Sequence, residues 1–522
     1  MKAKQKSSQK LPDISLKAID YPEIVIGLVG PLGTDLETAY KSLETRLDQV
    51  GYKSHLITLS KILSEIFDPL EKKLKKASED SRVKILMDAG NSLREKTSSK
   101  DALAILAMGA IKRIRKDQTG NGNQTLTKAA YVLRSIKNKE EAETLRNIYG
   151  ENFFLVSIYT PLEKRIEYLT KRISGKKKDK TGRTKKIATE LAERDYKEEI
   201  THGQNVRGAF PLADLFIRGD SPKLIDESLE RFINTLFGYP FSTPTKDEMG
   251  MFNAFGIALR SADLSRQVGA AIVDKEGDIV TIGCNEVPKF GGGMYWEDDI
   301  NNGIKDGRDF ILTEYDSSAY MKREIVEDLL ERLQEAKILR PEYKYKKLTD
   351  DLLFGEKKAV LDDAPVTDIL EYGRIIHAEM AAITDAAKRG LALKGKTLHC
   401  TTFPCHICAR HIIASGIERV LYVEPYPKSK ATDLYEDSIK KDPEEAVEGF
   451  VTFEPFVGVA PRRFRDFFSM TKRKDAQGTA TKWTKSMGKP KVKTYVSSYV
   501  DGETKLLSLL TERIAQLGIK SF

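Results

Sequence analysis

His377-Ala378-Glu379 and Pro404-Cys405-His406-Ile407-Cys408 bring an imidazole, two thiols and a carboxylate to two short helix starts. Zinc favours imidazole and thiolate ligands in a tetrahedral shell. Three ligands are on offer here, His377, Cys405 and Cys408, and the fourth position is left for water. That is the pattern of a catalytic rather than a structural site. Glu379, two residues past the histidine, can address the water without ligating the metal. For the C-x-x-C alone, a buried cysteine pair is the bland alternative. The H-x-E upstream, a strand between the two motifs and the proline all weigh against it.

The flanking stretches suit this role. Met380 to Arg389 is alanine-rich and closed by Gly390, so it is expected to be a helix. Thr397 to Thr402 alternates like a strand. Pro404 suits the first turn of a second helix running towards Gly416. Both cysteines then lie at a helix N-terminus, where the dipole and free amides stabilise thiolates.

The chain has 522 residues, 40% hydrophobic and 31% charged, which predicts two or three soluble domains. No apolar run approaches a membrane span, and Met1 to Ser15 is basic and polar, unlike a secretory signal. Four cysteines argue against a disulfide framework and point to a reducing cytoplasm. Net charge is +9. Basic runs at Lys171–Lys186 and Lys472–Lys493 suit phosphates or RNA, or are solvated loops.

Residues 1–20 read as a disordered tail. Ile24 to Gly30 reads as a buried strand, followed by a Pro31-Leu32-Gly33-Thr34-Asp35 turn and a helix from Leu36 to Gly51. Strand, glycine turn and helix frame a phosphate-binding loop, with Gly30, Gly33 and Thr34 as candidate nucleotide-binding residues. Aligned on Gly30, however, Leu36 and Glu37 occupy the places of the loop's Lys and Ser/Thr. Further strands are expected at Val83–Asp88, Ala130–Leu133 and Phe153–Ile158. Helices are expected at Ala102–Ile114, Lys139–Tyr149 and Leu162–Ile173. This alternation predicts a doubly wound, mostly parallel sheet.

Pro240 to Pro244 reads as a linker. A helix over Asn253–Leu264, a hairpin turning at Asp274–Asp278 and the metal helix then follow. Between Glu286 and Ile376 lies a long insertion without His or Cys. It opens Gly-rich, which suits closure over a small nucleotide. Its helix, Ser317–Ala336, reads as a packing or subunit-contact element.

The H-x-E and P-C-x-x-C motifs resemble the zinc nucleobase-deaminase signature. With Ala262–Ala270 and Gly283-Cys284-Asn285 they are similar to deoxycytidylate deaminases. Pairing with a degenerate phosphate-loop domain resembles the bacterial anti-phage deoxycytidine-nucleotide deaminases. Residues 21–240 resemble P-loop nucleoside kinases, with Lys171–Lys186 in the place of their basic lid. They read either as a nucleotide sensor or oligomer scaffold, or as a relic fold without a ligand. The resemblance implies an α/β protein. Its parts are a P-loop kinase-like doubly wound sheet over 21–240, a cytidine-deaminase-like α/β/α sandwich over 245–470 and a basic extension over 471–522. It implies zinc on His377, Cys405 and Cys408, with Glu379 as the acid–base. Asn285 is expected on the sugar and the backbone at Ala378 on the base, while Arg266 and Lys428 are candidates for the phosphates. The implied reaction converts dCTP and dCMP to dUTP and dUMP, depleting nucleotide pools against phage. Implied partners are the nucleotide substrate, further copies in a homo-oligomer such as a hexamer, and a regulatory RNA or nucleotide. No membrane partner is expected. The competing reading is a cytidine or adenosine deaminase that edits RNA or tRNA. Ala381, where many deoxycytidylate deaminases carry Asn, and the insertion leave the choice between mono- and triphosphate open.

Overall fold

The computed structural model describes residues 19–517 except 68–69, 176–181, 197, 199–201, 362–363, 370, 427, 444–446, 471 and 493–496. The tail expected over 1–20 lies almost wholly outside the described residues, as does the middle of the Lys171–Lys186 run. The chain forms two compact units. The first takes the described residues up to Thr243 and those from Arg462 onward, and the second is Pro244–Pro461. Among the described residues no helix is long and apolar enough to cross a membrane.

In the first unit β1 (Ile24–Val29), β2 (Lys53–Thr58), β3 (Ala129–Arg134), β4 (Phe153–Tyr159) and β5 (Leu215–Arg218) run parallel in the order β5-β4-β1-β3-β2. Every residue of β1 is buried, as expected of a central parallel strand. The strand expected at Val83–Asp88 is instead part of the helix Glu79–Thr97. Val83, Met87 and Gly90 recur at helical spacing, and Glu79 and Asp80 sit favourably in the first turn. The strand that takes the sheet edge is β2, whose sequence Lys-Ser-His-Leu-Ile-Thr buries only Ile57 and so carries a weak apolar signal.

The division expected at residue 470 falls earlier, because residues from Arg462 onward belong to the first unit and several of their side chains join its core. Arg463 donates to Asp214 Oδ1 at 3.1 Å and to the Phe153 carbonyl at 2.7 Å, and Phe467 packs on Phe154. The C-terminal helix, Ser497–Gln516, brings in Glu503. Arg115 is fully buried between two carboxylates. It donates to Glu23 at 2.7 Å and to Glu503 at 2.6 Å. Tyr131 and Tyr499 donate to Glu23, and Tyr149 donates to Glu503.

In the second unit β6 (Gly269–Val273), β7 (Ile279–Cys284), β8 (Thr397–Thr402), β9 (Arg419–Glu424), β10 (Ile439–Lys441) and β11 (Val451–Pro455) lie in the order β10-β11-β9-β8-β6-β7. The β6–β7 hairpin pairs antiparallel with itself and with β8, and the rest of the sheet is parallel. Side chains alternate across β8. Leu398 and Cys400 join Ala378 and Ala382 in the core under the helix Ala378–Arg389. His399 faces the helix Lys246–Ala258 on the other side, where a Cβ at Gly250 would meet its ring at 2.5 Å.

That second helix begins and ends earlier than the expected Asn253–Leu264. A capping box sets its start: Thr245 Oγ1 accepts from the Glu248 amide, and Glu248 accepts from the Thr245 amide. Residues 261–268 are thereby released as a loop that reaches the metal motif.

Removing Arg115 would strand two buried carboxylates, so Arg115→Met is expected to destabilise the first unit by about 3–5 kcal/mol. Urea unfolding of the full chain measures this. Curves that superimpose on those of the unsubstituted protein would show that the network contributes nothing.

Candidate active site

His377 is the N-cap of the helix Ala378–Arg389, and Cys405 is the N-cap of the helix His406–Ala414. Gly283 on β7 lets the first helix come close. A Cβ there would stand 2.4 Å from the Ala382 nitrogen and 2.5 Å from the Ala378 oxygen. The second helix follows β8 directly, so the two N-termini meet at one end of that strand.

His377 Nδ1 lies 3.3 Å from Cys405 Sγ and 3.4 Å from Cys408 Sγ. All three ligand atoms fall within 4.8 Å of one another. A tetrahedral zinc with ordinary Zn–S and Zn–N lengths separates such atoms by about 3.5 Å, so the donor set fits the ion in both chemistry and spacing. The charges fit as well. A hydrogen bond from Cys408 outweighs burial and, with His377, holds the Cys405 thiol down at about 4. Burial alone would pull the His377 imidazole down, but Cys405 and the charges of Glu379 and Asp263 lift it to about 9. Thiolate character is therefore built in at Cys405, whereas burial pushes the Cys408 thiol well up.

Glu379 is 4% exposed and lies beside Cys408 and Cys400. Burial pushes its carboxyl above the usual range, and the Cys405 charge adds to this. It is outside the ligand triad but within the same cavity.

That cavity, of about 270 Å³, is lined by His377, Glu379 and Cys405 together with Asn285 just past β7 and residues of the 261–268 loop and of the insertion helix Ser317–Glu335. The structure brings Ala378, Asn285 and Arg266 to it. Asn285 is almost fully buried. Its amide donates to Asp263 Oδ2 at 2.7 Å and to the Arg266 carbonyl at 2.8 Å, and its oxygen accepts from the Val268 amide at 2.7 Å. Both amide protons are committed, which leaves a lone pair on Oδ1 for a ligand. Arg266 stands over the Tyr426 ring at 5.4 Å, with Glu424 4.0 Å away. Lys428 is not brought to the cavity wall; its ammonium is 2.8 Å from Asp368. Phe403, Tyr426 and Lys322 do line the cavity. Sequence reasoning missed Lys322 because the insertion helix reads as a packing element, and no local signal aims it at a motif 55 residues away.

Residues 244–424 match the family model of the cytidine and deoxycytidylate deaminase zinc-binding region. The match lies within the second unit and takes in His377, Glu379, Cys405 and Cys408. The deoxycytidylate deaminase of Enterobacteria phage T2 is 46% identical over 55 residues, which is 10% of this chain and 29% of that protein. This chain thus spans under a third of that relative's length. The deoxycytidylate deaminase of Mus musculus is 29% identical over 224 residues, covering 42% of this chain and 81% of that one. The crystal structure of a dCMP deaminase from the cyanophage S-TIM5 with dCMP and dUMP shows 17% identity. It covers 41% of this chain and 98% of that chain, with a TM-score of 0.22.

Outside the matched region, Gly30, Gly33 and Thr34 line a cleft of about 390 Å³ in the first unit, beyond the ends of β1 and β3. Gly33 has φ +93°, and a Cβ there would meet the Arg165 carbonyl at 2.8 Å. The cations beside the loop are paired: Lys137 with Asp195 at 2.8 Å, and Arg134 with Glu37. Asp35 caps the following helix, accepting from the Thr38 amide at 3.0 Å. A carboxylate thus holds the helix end that would otherwise receive a phosphate.

Two outcomes are expected. Metal analysis of the Cys405→Ala, Cys408→Ala double variant should show loss of zinc, and full zinc content would reject the triad. Phosphate release from ATP should stay at background, whereas hydrolysis that vanishes on substituting Gly30 or Gly33 would contradict the reading of Asp35.

Proposed function

We propose that the second unit hydrolytically deaminates free deoxycytidine nucleotides, dCMP and dCTP, to the corresponding deoxyuridine nucleotides. The observation that carries this reading is the His377–Cys405–Cys408 triad with Glu379 beside it in one small cavity. The family match over residues 244–424 and the deoxycytidylate deaminase relatives support it. A cavity of about 270 Å³ is at the small end for ligand pockets, which favours a single mononucleotide over a polynucleotide.

Zinc, when bound, supplies the Lewis acidity that makes a water nucleophilic near neutral pH. His377, Cys405 and Cys408 would hold it, and the rest falls to the chain. Phe403 and Tyr426 offer apolar surface to the base. Glu379 takes a proton from the attacking water, passes it to the ring nitrogen and then serves the departing ammonia. Burial of Glu379 keeps bulk water from competing for these transfers. The Asn285 oxygen can accept from a sugar hydroxyl, and losing that partner penalises analogues without one.

The wider role is part of the same proposal: cytoplasmic depletion of deoxycytidine nucleotides against phage, in an oligomer whose first unit serves assembly or nucleotide sensing.

Glu379→Ala is expected to lower turnover of dCMP or dCTP by about 10²–10⁴ while zinc content is kept. Ammonia release measured beside metal analysis tests this, and an active zinc-loaded variant would sink the mechanism. Release of ammonia from a cytidine in RNA, with none from free dCMP or dCTP, would favour the editing reading.

A further inference from the structure

The insertion helix Ser317–Glu335 reaches the metal cavity by a chain of contacts. The buried Asp309 accepts from Ser317 Oγ at 2.9 Å and from Arg374 Nη1 at 2.6 Å. Ser317 Oγ in turn accepts from the Arg374 amide at 3.1 Å. Asp316 caps the helix, accepting from the amides of Ser318 at 2.8 Å and Ala319 at 3.0 Å, and from Ser265 Oγ at 2.9 Å. The helix start is therefore tied both to the rest of the insertion and to the 261–268 loop.

Ser318 and Lys322, four residues apart on one face, are thereby presented to the cavity. The helix amides are not free for a ligand, since Asp316 occupies them. The charged side chains on the cavity wall differ in their commitments. Asp263 accepts from Asn285 and from the Ser265 amide at 2.6 Å. Asp316 is the cap. Arg266 faces Glu424 and Tyr426. Lys322, among the described residues, has neither an ion-pair nor a hydrogen-bond partner. A half-buried lysine with no ion-pair partner among the described residues, sharing a cavity with a nucleoside-sized reaction centre, suits an anionic substituent of the substrate.

We propose that Lys322 binds the 5′-phosphate of the substrate, so that the insertion makes the site select nucleotides over nucleosides. This rests on the deaminase reading of the same cavity. Lys322 is a binding and specificity residue: it moves no proton, and it acts through a charge-assisted hydrogen bond to phosphate oxygen. It takes the place expected of Lys428, whose ammonium faces Asp368.

The test uses the full zinc-loaded chain and product-side ligands, so that it does not depend on turnover. Calorimetry with dUMP and with deoxyuridine gives the preference for the phosphorylated ligand. Lys322→Gln should reduce that preference about ten- to hundredfold, Lys322→Glu should reduce it further, and Lys322→Arg should restore most of it. Zinc content measured on each variant shows that the site is intact. An unchanged preference in the zinc-loaded Gln and Glu variants would overturn the inference, as would an unsubstituted protein that binds deoxyuridine as tightly as dUMP. Ammonia release from dCMP and dCTP separates the two levels. If the unsubstituted protein releases none, the deaminase reading fails. If it does and the preference is insensitive to residue 322, only the role of Lys322 fails.

Discussion

The approach of the helix Ala378–Arg389 to β7 is the constraint on which the site depends. At Gly283 there is no room for a side chain, since even a Cβ would enter the first turn of the helix. That turn carries His377 before it and Glu379 within it. The other half of the site comes from the end of β8, one strand beyond β6 in the same sheet. Three ligand atoms can close on one ion only if the helix is seated at this depth. A sheet holds such depth better than a loop, because ladder hydrogen bonds on both sides of β6 fix the distance between β7 and β8.

Around this rigid floor the walls are polar and largely self-satisfied. Asn285 ties the 261–268 loop to the chain leaving β7, and Asp316 ties the same loop to the insertion. These bonds organise the cavity without a ligand, and they limit which groups can answer one. Oδ1 of Asn285 and the ammonium of Lys322 are among the polar groups of the described residues left over for a ligand. Pre-organisation of this kind lowers the ordering cost of binding.

Much of the second unit was legible in the sequence. His377, Glu379, Cys405 and Cys408 are close in sequence to the helix starts that aim them, so local rules of capping and spacing sufficed. The hairpin at Asp274–Asp278 and the helix closed by Gly390 were readable for the same reason. What could not be read depends on distant partners. Val83–Asp88 has the composition of a strand, but its neighbours carry the helical period. The edge strand β2 has too few apolar residues to declare itself. Lys428 stands near the metal motif in sequence yet turns to Asp368, while Lys322 arrives from the middle of the insertion. Glu503 could not be assigned to the first unit, because its partner Arg115 is nearly four hundred residues away.

The insertion leaves and returns through a single backbone bridge. The Glu286 amide donates to the Ile376 carbonyl at 3.2 Å, and the Ile376 amide donates to the Glu286 carbonyl at 3.1 Å. Its two ends are therefore stitched together one residue short of the metal histidine. A protease cut within this excursion would leave both fragments joined through the sheet, as a nicked two-chain protein whose zinc ligands stay in register. Length can also be gained or lost between the ends at little cost in loop entropy. The segment is a closed excursion whose side chains supply walls to a floor that the sheet holds.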